Sequence, residues 1–248
     1  MLFIRSLIFA GFQIVTAVLF SILAVILWPL PFNSRYKVVS QWAVLNLWLL
    51  KIICNIRYEV TGQANIPDYP CVILCKHQSA WETLALQAIF PAQAWVLKRE
   101  LLWIPFFGWG LASLNPIAID RGAGRKALQQ IIDQGKQRLS SGTWVAVFPE
   151  GTRITSGFMG KFGIGGSRLA VDAAVPVIPV AHNAGKAWPR HGFIKQPGVI
   201  KLTIGDMIST EGKTASELNQ VVFDWMEAEM TVLEGAKPSM QSRKKGDH

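Results

Sequence analysis

Three cysteines in 248 residues are too few, and odd in number, for a disulfide framework. Cys71 and Cys75 share the parity of one apolar strand and are expected as buried thiols, a usage that suits a reducing compartment. Cys75 lies two residues before His77, but a thiol buried in an apolar strand has a raised pKa and makes a poor nucleophile. The four histidines, His77, His182, His191 and His248, have no zinc-site spacing. Gly-X-Ser-X-Gly is absent, which leaves a serine hydrolase elbow without support. Internal repeats and low-complexity linkers are also missing. Acidic residues are scarce: 16 against 25 Lys and Arg, a formal charge of +9. Such a balance points to an anionic partner, whether nucleic acid, anionic lipid or a phosphorylated substrate. The cations are scattered. Their one dense cluster is Arg243-Lys244-Lys245, and no nucleic-acid motif accompanies it, so a nucleic-acid partner is not expected.

What is abundant is apolar. Half the residues are hydrophobic and ten are tryptophan, whose amphipathic ring settles at membrane interfaces. Leu7 to Leu30 carries no charge. As a helix it spans ~36 Å against a ~30 Å hydrocarbon core. It is too long for a signal-peptide core, and Pro29 and Pro31 end it. Arg5 precedes it and Arg35 and Lys37 follow, a slight bias toward a cytoplasmic C-terminal side. A second apolar segment, Gln41 to Ile56, is interrupted by Lys51 and suits either an interfacial helix or the return limb of a hairpin. Residues 1–56 are therefore expected as a membrane anchor of one or two helices, 57–235 as a catalytic domain, and 236–248 as a basic, disordered tail with weak attraction to anionic lipid.

From Arg57 the pattern alternates. Strands are predicted at 57–62, 71–76, 94–98, 116–120, 143–148, 176–181 and 199–205. Gly122 to Ser141 reads as a helix with Leu128, Ile131, Ile132, Gly135 and Leu139 on one face. Thr214-Ala215-Ser216-Glu217 is a capping box that opens a last helix. Strands alternating with helices give an α/β sandwich.

Lys76-His77-Gln78-Ser79-Ala80-Trp81-Glu82-Thr83 stands at one strand-to-helix turn. On a regular helix His77 and Glu82 would lie ~140° apart and never meet. With His77 still in the turn, its ring can fold back on the carboxylate, which suits a histidine base oriented by an acid. A lone histidine near a strand end is more often a structural hydrogen-bonding residue. Three further blocks change that balance: Leu101-Leu102-Trp103-Ile104-Pro105-Phe106-Phe107-Gly108, Phe148-Pro149-Glu150-Gly151-Thr152-Arg153, and Val175-Pro176-Val177-Ile178-Pro179-Val180. Gly151 allows a positive φ, and Arg153 offers a planar fork matched to phosphate oxygens. Lys98, Arg99 and Arg121 stand at strand ends, where open α/β sheets place ligands. The run Leu101 to Phe107 reads as facing membrane or an acyl chain. The glycines Gly157, Gly160, Gly163, Gly165 and Gly166 match neither the P-loop nor the dinucleotide spacing and read as a lid or substrate loop.

Together and in this order, the four blocks resemble those of the bacterial 1-acylglycerol-3-phosphate acyltransferases (lysophosphatidic acid acyltransferases), across residues 70 to 185 or so. One position departs: the family usually has Asp where this chain has Glu82, one methylene longer. The resemblance implies a glycerolipid-acyltransferase αβ sandwich behind an N-terminal membrane-embedded helical segment. It implies transfer of an acyl group from acyl-CoA or acyl carrier protein to the 2-hydroxyl of lysophosphatidic acid, giving phosphatidic acid at the bacterial inner membrane with the catalytic domain facing the cytoplasm. His77 would be the base and Glu82 its orienting acid. The Phe148–Arg153 block binds the acceptor's phosphate in the family, which gives Glu150, Gly151, Thr152 and above all Arg153 a substrate-binding role, with Lys98 and Arg121 assisting. Backbone N–H groups of the turn would hold the oxyanion. No metal or cofactor is required; the partners are the acyl donor, a lysophospholipid and membrane lipid. Two other readings are an acyltransferase for another lysolipid, such as a lyso-ornithine lipid, and an inactive lipid-binding protein.

Overall fold

Short apolar runs become strands and amphipathic runs become helices in the computed structural model, which describes residues 1–241 apart from the Arg121 side chain. In chain order the elements are α1 Leu2–Ile26, α2 Phe32–Val39, α3 Gln41–Cys54, β1 Ile56–Thr61, β2 Val72–Cys75, α4 Trp81–Ile89, β3 Gln93–Lys98, α5 Phe107–Ser113, β4 Ile117–Ile119, α6 Arg125–Ser140, β5 Trp144–Val147, β6 Phe158–Gly160, α7 Gly165–Asp172, β7 Val177–His182, β8 Gly198–Ile204, α8 Ala215–Glu234 and β9 Ser239–Gln241. All seven predicted strands are present, within two residues of their expected ends.

Those seven make one sheet in the order β1-β8-β7-β2-β5-β3-β4. From β7 to β4 every pairing is parallel; β8 runs antiparallel to β7, and β1 follows β8. A parallel strand is covered on both faces and reads as a continuous apolar run. In β2, Ile73 and Cys75 pack toward α3 and α4, whereas Val72 and Leu74 pack toward α6, α7 and α8. All four are fully buried, each aliphatic side chain contributing ~1.5–3 kcal/mol. The Thr214 capping box closes as read, with Thr214 and Glu217 exchanging side-chain and backbone hydrogen bonds.

The N-terminal segment departs from expectation in detail. The first helix runs from Leu2 to Ile26 and ends before the prolines. It and Phe32–Cys54 are long and apolar enough to cross a membrane, by length and composition. Yet packing does not break at residue 56: α3 buries Leu47, Leu50 and Cys54 in the same core as β2 and α4. The tail is also corrected. Ser239–Gln241 pairs with Phe158–Gly160 as a small second sheet because Gln241 accepts the Thr155 N–H and Ser239 donates to Gly157. The Arg243-Lys244-Lys245 cluster lies outside the described residues.

Candidate active site

Parallel strands send their C-terminal ends to one edge. Lys76-His77 leaves β2 there, Phe148–Arg153 leaves β5, Lys98 ends β3, Asp120-Arg121 follows β4 and His182 ends β7.

At the turn after β2, the His77 ring does fold back. Its Nδ1 lies 2.7 Å from Glu82 Oε1. The same oxygen accepts the N–H groups of Gln78 at 3.0 Å and Ser79 at 2.9 Å. An oxygen already serving two amides is an acceptor, so His77 Nδ1 carries the proton and Nε2 keeps its lone pair. Burial alone would push the Glu82 carboxyl up, but the His182 and His77 rings and the Ser79 amide outweigh it and hold the carboxyl below its usual value. Phe148 stacks on the His77 ring at 3.9 Å between centroids and 12° between planes, so the ring is held in orientation as well as position.

The turn is tied to the block after β5 from both sides. His77 N–H donates to Glu150 Oε2 at 3.0 Å, and Ile154 N–H donates to the His77 carbonyl at 2.7 Å. Gly151, at φ 68°, makes the reversal that brings the block back. Glu150 also pairs with the fully buried Lys76 at 2.7 Å and accepts the Gly160 N–H at 2.8 Å. This corrects the substrate-binding reading of Glu150: its carboxylate is buried and serves the protein's own donors, joining two blocks beneath the site. Removing one partner of such a buried pair costs about 3–5 kcal/mol.

Of the turn's amides, those of Gln78 and Ser79 are taken by Glu82 and that of His77 by Glu150. The expected lid is pinned as well. Gly160 is held by Glu150, Gly157 by Glu234 of α8, and Gly163 N–H donates to the Pro149 carbonyl at 2.7 Å. Cys71 and Cys75 are buried thiols as read; burial pushes Cys71 up to about 12 and Cys75 well above its ordinary value, so neither is a nucleophile.

A cavity of about 550 Å³ opens over His77. Arg153 lines it together with His77, and Ala80 and Thr83 bring the N-terminal turn of α4 to it. Arg153 makes no ion pair or hydrogen bond among the described residues. Apart from Gln13 and Gln87 the remaining wall is apolar, from Leu101, Phe106, Phe107 and Leu111 on one side and Ile14, Ala17 and Val18 of α1 on another. The Leu101–Phe107 run thus faces the cavity, and part of α1 does too. Lys98 and Thr152 are partly buried at the same sheet edge but do not line the cavity. Arg99 turns to Asp120, 3.7 Å away, and to the Trp103 ring. The Arg121 side chain lies outside the described residues.

Sequence reading missed Phe148 as the platform for His77, Lys76 as the partner of Glu150, and Glu234, which gathers Gln78, Ser156 and Gly157. It also gave no role to His182, buried behind Glu82.

A family model described as Acyltransferase matches residues 57–183. Over 205 residues the chain is 52% identical to a 1-acyl-sn-glycerol-3-phosphate acyltransferase of Pseudomonas aeruginosa, covering 81% of this chain and 80% of that one. It is 32% identical over 190 residues to the mouse 1-acyl-sn-glycerol-3-phosphate acyltransferase alpha, covering 74% and 67%. Its fold superimposes on the crystal structure of the 1-acyl-sn-glycerophosphate acyltransferase of Thermotoga maritima with a TM-score of 0.79, at 24% identity and 97% coverage of both chains.

Proposed function

The chain belongs to the acyltransferase family, and on that premise we propose that it acylates the 2-hydroxyl of lysophosphatidic acid to give phosphatidic acid. The observation that carries this reading is the Nδ1-protonated His77, backed by Glu82, at a cavity that combines a cationic fork with an acyl-sized apolar wall. His77 Nε2 takes the proton of the 2-hydroxyl as its oxygen attacks the thioester carbonyl. The tetrahedral intermediate collapses with loss of the thiolate, which receives the proton from the His77 imidazolium. Glu82 remains ionised and offsets the charge that appears on His77. The positive end of α4, beside Ala80 and Thr83, replaces the spoken-for turn amides as the source of oxyanion stabilisation. Arg153, which has no ion-pair partner among the described residues, is the phosphate ligand in the cavity wall; Lys98 and Arg121 at the same sheet edge serve the more distant charges of acceptor or donor.

The donor is an acyl thioester of CoA or acyl carrier protein. The apolar helices α1 to α3 hold the cavity at a membrane, which in this reading is the bacterial inner membrane, with the sheet on the cytoplasmic side. Membranes carrying the protein, given labelled acyl-CoA or acyl carrier protein thioester and a panel of lysolipids, should form phosphatidic acid from lysophosphatidic acid, and His77→Ala should abolish it. Preference for a lyso-ornithine lipid, or no transfer to any lysolipid, would overturn the assignment. Arg153→Lys keeps the charge and loses the fork, so KM for lysophosphatidic acid should rise with little change in kcat.

A further inference from the structure

His182 is fully buried and takes no part in the transfer as described. Its Nδ1 accepts the Ala184 N–H at 3.2 Å, which assigns its proton to Nε2. That Nε2–H donates to the Lys76 carbonyl at 2.8 Å and lies 3.8 Å from Glu82 Oε2. Oε2 is the bare half of the carboxylate: it is buried and has no hydrogen-bond partner, while Oε1 serves three groups. One N–H therefore faces both the carbonyl immediately before His77 and the unserved oxygen behind it. Trp81 packs edge-on against the His182 ring, with 5.8 Å between ring centroids.

We propose that His182 is a positioning residue for acyl transfer, its neutral Nε2–H holding the Lys76 carbonyl and Glu82 Oε2 so that the carboxylate stays aimed at His77 as the imidazolium forms. The inference rests on His77 being the base. The titratable groups around His182 are Glu82 on α4, Cys75, Lys76 and His77 at the end of β2, and Glu150 after β5. Protonating His182 would set an Nδ1–H against the Ala184 N–H, and burial adds to this by pushing the imidazole pKa down, so the ring works as a fixed dipole.

The test is lysophosphatidic acid acylation in detergent micelles across pH, for His182→Gln, His182→Asn and His182→Leu beside His77→Ala. Glutamine brings an amide N–H to the position of Nε2, and should keep kcat within about threefold of wild type. Leucine removes the hydrogen bond to the Lys76 carbonyl and the dipole that faces Oε2, and should lower kcat about fivefold to tenfold at unchanged KM. Its acid limb of kcat/KM should move to higher pH, because a carboxylate that no longer faces the Nε2–H dipole holds the His77 proton more tightly. Asparagine, one atom short, should follow leucine, and it carries the comparison if leucine does not fold. Wild-type kcat and an unmoved acid limb in all three variants would overturn the inference. So would a fall in melting temperature alone, with kcat per folded enzyme and the acid limb unchanged. Turnover by His77→Ala would instead remove the base assignment, and the inference with it.

Discussion

At the scale of single residues, Glu82 decides most. Its Oε1 receives an imidazole N–H and two amides, so Glu82→Gln disrupts more than charge. The amide has one oxygen for three donors and no net charge to balance the imidazolium. In a Ser-His-Asp site the analogous change costs about 10⁴ in kcat. A loss approaching that scale is expected here, with KM little changed. Glu82→Asp draws the carboxylate back from His182 and should fall between wild type and Gln; full activity in Glu82→Gln would show that the carboxylate only supports the turn. Glu82 and His182 both contribute to the pH dependence of the fold. The folded pKa of His182 is below its ordinary 6.5, so the unfolded chain binds the extra proton first. Stability is complete above about pH 6.5 and declines as pH falls toward the folded value. Glu82, also lowered, contributes stability that is complete above its ordinary 4.5 and is lost below it. Melting curves should therefore weaken in two stages on acidification, and His182→Gln should flatten the first. An unaltered first stage in that variant would assign it to another group. The His77–Glu82 contact was legible because strand, turn and helix follow one another in eight residues. His182 was not, since the carbonyl it meets lies 106 positions earlier in the chain. Glu150 was misread because a motif block does not say which side chain points inward.

Helices and strands were legible in proportion to their length and purity. The inner strands β2, β5 and β7 stood out because both sheet faces are covered there, leaving short apolar runs, whereas β1 and β8, partly exposed, show interrupted patterns. The three-residue strands β6 and β9 carry too little pattern to recognise. Phe107-Gly108-Trp109-Gly110, which opens α5, contains two glycines and two aromatics, poor helix formers. That helix exists because it packs on α1, and Gly108 is required there: a Cβ would sit 2.2 Å from the Leu102 carbonyl oxygen. Arg35 shows the same dependence on tertiary context. In sequence only a cation following the first apolar segment, it is buried, donating to the carbonyls of Ser113 at 2.7 Å, Trp28 at 2.9 Å and Leu30 at 3.2 Å. One guanidinium thus serves the chain ends of both α1 and α5, where helix dipoles favour a cation. Arg35→Met keeps much of the volume and strands these acceptors, and should cost about 1.5–3 kcal/mol. Thermal unfolding in detergent measures it; an unchanged midpoint would mean that water replaces the guanidinium without loss.

For the molecule as a whole, the question is what α1 is for. A free anchor would be apolar on every side and indifferent to which residue points where. This helix has two different faces. Val15, Leu19, Ile22 and Ile26 form an exposed stripe within ~60° of helix rotation, whereas Ile14, Ala17 and Val18 line the cavity that ends at His77. The helix apolar enough to cross a bilayer is thus also a wall of the cavity over His77. Substitutions one or two positions apart should then separate the two roles. Leu19→Lys places a charge in the exposed stripe. If that stripe is in lipid, partition into vesicles should weaken by up to about 2.5–3.5 kcal/mol, less toward the headgroups, while kcat in detergent micelles holds. Ala17→Trp fills the cavity instead. Vesicle partition should hold, and turnover should fall steeply with long acyl donors and little with short ones, because the added ring occupies space that only a long chain reaches. Equal effects of the two substitutions on partition and on chain-length preference would return α1 to the status of a simple tether. Opposite effects would mean that one helix both sets the depth of the enzyme in the membrane and shapes the space into which the acyl chain is drawn.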